Sequence, residues 1–188
     1  MGEGPRAVVL VEGISDRIAL EALAARRGLD LAGDGVEIVP IGGAQAIGRV
    51  LDELVSAGGR RLAGLCDAAE EPDFRRALER TGLGAGLDRA GMERLGFFVC
   101  VENLEDELIR GLGAARVEEV LAHEGDLETF RTFQNQPAWR GRPVEAQLRR
   151  WLHAADRRNS RYPPLLIEAL EETDVLRPLD GVLAAVAA

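Results

Sequence analysis

The chain has 188 residues, 46% of them hydrophobic and 29% charged, with a formal net charge of −9. That composition suits one compact core of about 100 to 150 residues with an appendage. No stretch approaches the ~18 uninterrupted apolar residues of a membrane helix, and Met1 to Pro5 lacks the basic region and apolar stretch of a secretory signal, so the expectation is a cytoplasmic protein with no membrane partner. All 23 basic residues are arginine; without lysine, a phosphate-binding loop, a lysine Schiff base and a phospho-receiver domain are excluded.

The first 112 residues alternate strand-like apolar runs with helical patterns, the signature of βαβ units and a parallel sheet. Strand one is predicted at Ala7 to Glu12, and the helix after it at Ser15 to Arg27, with Ser15 as N-cap and Gly28 closing it. Strand two spans Val36 to Pro40, and Ile41-Gly42-Gly43 turns into a helix from Ala44 to Ser56. Strand three, Leu62 to Cys66, reaches Asp67 and leads into a helix opening near Glu70-Glu71-Pro72, where acids and proline suit a first turn. Strand four, Phe97 to Val101, runs into Glu102-Asn103-Leu104-Glu105-Asp106-Glu107 and a helix through Leu108-Ile109. From Gly113 the periodicity is helical, at Val117-Val120-Leu121, Leu148-Trp151-Leu152 and Leu165-Leu166-Ala169-Leu170. Phe133 to Pro143 is predicted as a loop, and Val182 to Ala188 as an apolar segment packed back on the body. The reading is α/β: a Rossmann-like parallel sheet of about four strands flanked by helices over residues 1–112, with a helical extension over 113–188.

Charge is unevenly placed. Residues 131–161 hold eight arginines against Glu145 and Asp156, a net +6, whereas residues 1–130 carry −11. An acidic body with one basic segment suits a polyanion that touches the segment while metals neutralise the acids, and a merely solvated helical face is the plain alternative.

Two strands end in carboxylates, Glu12 and Asp67, and in an open α/β sheet ligands bind beyond the carboxyl ends of parallel strands. Asp16, four residues after Glu12, falls in the first turn of the next helix and can face the same side. Mg²⁺ is held by few carboxylates and keeps waters that phosphate oxygens can replace, so this grouping points to phosphoryl chemistry. His123 and His153 show neither a serine-nucleophile context nor zinc spacing and are expected at the surface or in helix packing. Cys66 and Cys100 are expected as reduced, buried thiols. Trp139 and Trp151 flank arginines and fit either core anchors or base-stacking groups.

Val11-Glu12-Gly13-Ile14-Ser15-Asp16, Pro40-Ile41-Gly42-Gly43, Leu65-Cys66-Asp67 and Leu104-Glu105-Asp106-Glu107-Leu108, in that order, resemble the TOPRIM domain of topoisomerases, primases and some nucleases. Among these the chain is most similar to the TOPRIM part of the OLD (overcoming lysogenization defect) nucleases. The resemblance implies that Glu12, Asp16 and Asp67 ligate metal, with Glu12 also relaying a proton. It implies a second acid two residues after Asp67, where Ala69 stands, so that Glu70 or Glu71 has to reach round from the helix start. Asn103 and Glu105 match a polar-x-Glu pair that helps hold a second metal. The lysine that the family places in the C-terminal helices is missing, Asn159 stands at its position, and Arg158 beside it is the candidate substitute.

The implied activity is Mg²⁺- or Mn²⁺-dependent, two-metal hydrolysis of DNA as an endonuclease or nickase, with Arg149, Arg150, Arg157, Arg158 and Arg161 as nucleic-acid contacts. The alternatives are a catalytically weakened module that binds nucleic acid or a partner ATPase, and a nucleotidyl transferase. The family's ATPase is absent from these residues, which leaves room for a separate ATPase subunit as partner and for a homodimer.

Overall fold

The computed structural model describes residues 4–154 and 156–187, Asp156 by its backbone alone. Ala188, expected to pack back with Val182, lies outside them. Four parallel strands form one sheet in the order β2-β1-β3-β4: β1 (Ala7–Val11), β2 (Val36–Pro40), β3 (Arg61–Cys66) and β4 (Phe97–Val99). Every residue of β1 is buried, as a central strand covered on both faces requires. Its side chains alternate: Ala7, Val9 and Val11 enter one core, Val8 and Leu10 the other, which is the period-two geometry of a strand.

The first core is closed by α1 (Ile14–Arg26), α5 (Leu104–Leu112), α6 (Ala114–His123), α7 (Leu127–Gln134), α8 (Val144–His153), α9 (Asp156–Glu168) and α10 (Arg177–Ala187). The second lies under α2 (Ile47–Ala57), α3 (Glu71–Arg80) and α4 (Arg89–Arg94). Val182, Leu183 and Val186 of α10 are buried in the first core, so this apolar segment does pack on the sheet.

Local differences from the sequence reading have local causes. α1 begins at Ile14, because the Asp16 carboxylate accepts the Gly13 amide at 2.9 Å and makes Gly13 the N-cap in place of Ser15. The helix expected from Ala44 opens as a single 3₁₀ turn, Ala44–Ala46. Helix α4 was not predicted; at six residues it is too short to show a period, and it is set by Asp88, whose side chain accepts the Gly91 amide at 2.7 Å. The expected loop from Phe133 starts later, since α7 runs to Gln134. Gly64 in β3 is needed for packing: a Cβ there would stand 2.7 Å from Phe97 and 3.0 Å from the Leu10 carbonyl oxygen.

Candidate metal centre

The chain leaves β1 for β2 on one side and returns for β3 on the other, so the crevice beyond β1 and β3 is the topological switch point where α/β sheets bind ligands. Val11 pairs with Leu65, which sets Glu12 level with Cys66 and one residue short of Asp67. The turn after β2 fixes Glu12 from the opposite side. Gly42 and Gly43, at φ 75° and 111°, donate their amides to the Glu12 carbonyl oxygen at 3.1 and 3.3 Å, a backbone path that side chains rarely tolerate.

A cleft of about 300 Å³ opens here, lined by Glu12, Asp16, Gly42, Gly43, Asp67 and Glu105 from the sheet's edge and by His153 and Asn159 from α8 and α9. Ligand oxygens of Glu12, Asp67 and Glu70 lie within 4.8 Å of one another. Glu70 stands at the N-cap of α3, one residue after Ala69. One of its carboxylate oxygens, Oε2, is buried with no hydrogen-bond partner. Such an orphan is expensive unless something absent from the polypeptide completes it.

Electrostatics agree with the geometry. Burial first, and then the charges of Asp16, Glu12, Glu105 and Glu70, push the Asp67 carboxyl up to about 8. Asp16 rises to about 6, chiefly through burial and the nearby Glu12 and Glu105, against the lowering effect of the Gly13 amide. Glu12 is raised by burial and by Glu70, and partly relieved by His153. Carboxyls that repel one another this strongly are matched to a cation. Orphaned oxygen, clustered acids and raised carboxyls all fit a divalent metal with oxygen ligands.

The predicted residues divide. Glu12, Asp16, Asp67 and Glu105 line the cleft, and Glu70 joins Glu12 and Asp67. Asn103 stands apart: its side-chain oxygen accepts the Asp106 amide at 3.0 Å and caps α5, because the chain enters the helix there and an Asx oxygen is the best partner for an orphan amide. Arg158 also stands apart. Its guanidinium lies 4.0 Å from the centre of the Trp151 ring and donates to the Trp151 carbonyl oxygen at 2.8 Å, a contact favoured because the ring is buried. Arg149 lies against Asp106 and Glu102 at 3.4 and 3.6 Å, and Arg161 pairs with Glu124 and Asp126. Arg150 and Arg157 are exposed.

His153 is the residue that spacing did not reveal. It ends α8, with Nδ1 3.5 Å from the buried Glu105 carboxylate; only the packing of α8 on α5 brings them together. Asn159 lines the same wall, its Oδ1 buried without a hydrogen-bond partner. Cys66 and Cys100 are free and buried, and burial raises both thiols, so neither is poised as a nucleophile.

Residues 5–68 match the family described as the overcoming lysogenization defect protein-like TOPRIM domain. A comparison with curated proteins finds no significant match. Among solved structures, the chain is similar to the C-terminal region of the Xanthomonas campestris pv. campestris OLD protein, phased with platinum (TM-score 0.73, 23% identity, 97% of this chain and 92% of that one). It is also similar to the same region phased with mercury (TM-score 0.69, 22% identity, 97% and 94%). The C-terminal region of the Burkholderia pseudomallei OLD protein superposes with a TM-score of 0.73 at 16% identity over 97% of both chains. Residues 5–68 thus carry an OLD-like TOPRIM domain, and the chain has the fold of the OLD C-terminal region.

Proposed function

We propose that this chain is a divalent-metal-dependent nuclease that nicks or cuts DNA by phosphodiester hydrolysis. The observation that carries the reading is the Glu12, Asp67 and Glu70 cluster at the β1/β3 switch point, with its ligand oxygens within 4.8 Å of one another. These three residues would hold a first Mg²⁺ or Mn²⁺, and Asp16 and Glu105 would face a second. When bound, the ions supply neutralising charge and Lewis acidity toward phosphoryl oxygens.

The chain's own groups do the rest. Glu12, its backbone clamped by Gly42 and Gly43, would also relay a proton from the attacking water. Glu105, 3.5 Å from His153 Nδ1, would hold that imidazole on the cleft wall. We assign the metal site to residues 1–112 and the opposite wall to the extension, 113–188. The relatives are C-terminal regions of larger proteins, which supports an ATPase as working partner, and two free thiols support a reducing compartment such as the cytoplasm.

The test is cleavage of supercoiled plasmid in Mg²⁺ and Mn²⁺, with calorimetric titration of each ion. Metal-dependent nicking that is lost in Glu12→Ala is expected. Intact plasmid at every metal concentration together with tight metal binding would instead support a weakened module that binds without cutting. Two placements favour that second reading: Asn103 is occupied as a helix cap and Arg158 lies on Trp151.

A further inference from the structure

The eight arginines of residues 131–161 are not equivalent. Arg131 pairs with Glu118, Arg149 with Asp106 and Glu102, and Arg161 with Glu124 and Asp126, while Arg158 is folded on Trp151. Among the described residues the other four, Arg140, Arg142, Arg150 and Arg157, have no acidic partner, and all are exposed.

Their placement follows the chain toward the cleft. Arg140 and Arg142 sit in the turn before α8, Arg150 lies one turn before His153 at the end of that helix, and Arg157 precedes Asn159 in α9. His153 and Asn159 line the cleft, so Arg150 and Arg157 are each within three residues of a lining residue, and Arg140 and Arg142 precede the far end of α8, ~15 Å away along a ten-residue helix.

The far end is built rather than loose. Gln147, buried in α8, donates to the Trp139 carbonyl oxygen at 2.8 Å and accepts from Gln134 at 2.6 Å. Trp139 packs on Phe133 with ring centres 5.1 Å apart, and the Arg142 guanidinium lies 5.1 Å from the Trp139 ring centre. Arg140 and Arg142 donate to the carbonyl oxygens of Asn135 and Ala138. These bonds hold the two guanidinium groups at the surface without neutralising them.

We propose that Arg140, Arg142, Arg150 and Arg157 form a track for the phosphates of a nucleic-acid strand leading into the cleft. The proposal rests on the nuclease reading and reassigns its contacts to arginines whose charge is uncompensated. In a chain of net charge −9 with an acidic cleft, a polyanion approaches only where cations are concentrated and unpaired.

The experiment is fluorescence anisotropy with labelled single- and double-stranded 20-mers in Ca²⁺, over a range of salt, using the full chain with Glu12→Gln to prevent cutting. Arg140→Ala/Arg142→Ala and Arg150→Ala/Arg157→Ala are each expected to weaken binding about tenfold at 0.1 M salt. Each pair is also expected to reduce the slope of log K against log salt by about 1.4 to 1.8. Arg94→Ala, an exposed arginine on α4 across the sheet, is the charge control and is expected to change affinity less than twofold. Equal affinities for both double variants and the control overturn the track, as does no binding of either oligonucleotide. Neither result touches the metal site, which calorimetry reads separately.

Discussion

The amide of Ala68 donates to the carbonyl oxygen of Glu102 at 3.0 Å. This bond extends the β3–β4 pairing past the end of the sheet and ties the loop that carries Asp67 to the loop that leads to Glu105. Two acids from segments more than thirty residues apart are therefore held on one wall before any cation arrives. Their mutual repulsion is built into the fold.

That repulsion has a signed pH dependence. The folded Asp67 carboxyl, at about 8, lies above its ordinary value of 3.8, so the folded state holds more protons between these values and stability falls as pH rises through the window. Asp16, at about 6, adds to the loss at its lower end. Thermal melts in chelator are expected to show a midpoint that declines from pH 5 to 9, and Asp67→Asn is expected to recover about 1–3 kcal/mol at pH 8.5. Saturating Mn²⁺ is expected to flatten the decline. A midpoint that rises across this range would contradict the clustering of charge.

The proposed metal site counts Glu70 as the acid in place of Ala69. Glu70→Ala is expected to weaken metal binding tenfold or more by calorimetry, and adding Ala69→Asp to that variant is expected to restore most of the loss. Undiminished affinity in Glu70→Ala would remove Glu70 from the ligand set.

Replacing Glu12 by glutamine keeps the shape and removes the charge. The expected result is at least ~100-fold slower plasmid nicking with an unchanged melting midpoint in chelator or a slightly higher one, since a repelled carboxylate has been deleted. Circular dichroism and a nicking time course read the two quantities independently.

Asn103 is predicted to matter for stability and not for the metal. Its side chain caps α5, so Asn103→Ala should lose about 1 kcal/mol in denaturant melts while metal affinity stays within twofold. A large loss of affinity with no loss of stability would place Asn103 among the ligands instead.

The strand pattern is readable because burial on both faces leaves a continuous apolar run: β2 falls where Val36 to Pro40 predicts it, β1 and β3 differ from prediction by one residue at one end, and β4 stops at Val99, two residues short of the expected Val101. The acids were readable for the same reason, since a strand that ends in a carboxylate announces its own position. What the one-dimensional pattern lacked was pairing at a distance. His153 meets Glu105 only through the docking of α8 on α5, and Arg161 meets Asp126 across thirty-five residues. Periodicity carries no information on such contacts, so a run of arginines reads as uniform when half of it is already engaged. Asn103 shows the opposite ambiguity, because an Asx residue before a helix satisfies both a ligand pattern and a cap.

Helix α10 fills the first core with Val182, Leu183 and Val186 against β1, β3 and β4. The order of synthesis gives this placement a meaning. All five clustered acids leave the ribosome many residues ahead of α10, at a stage when one face of their sheet still lacks part of its cover. A nascent chain halted before α10 would present the carboxylates on an unfinished scaffold, so the cleft takes its working shape only after a helix that touches none of its acids has docked beneath them.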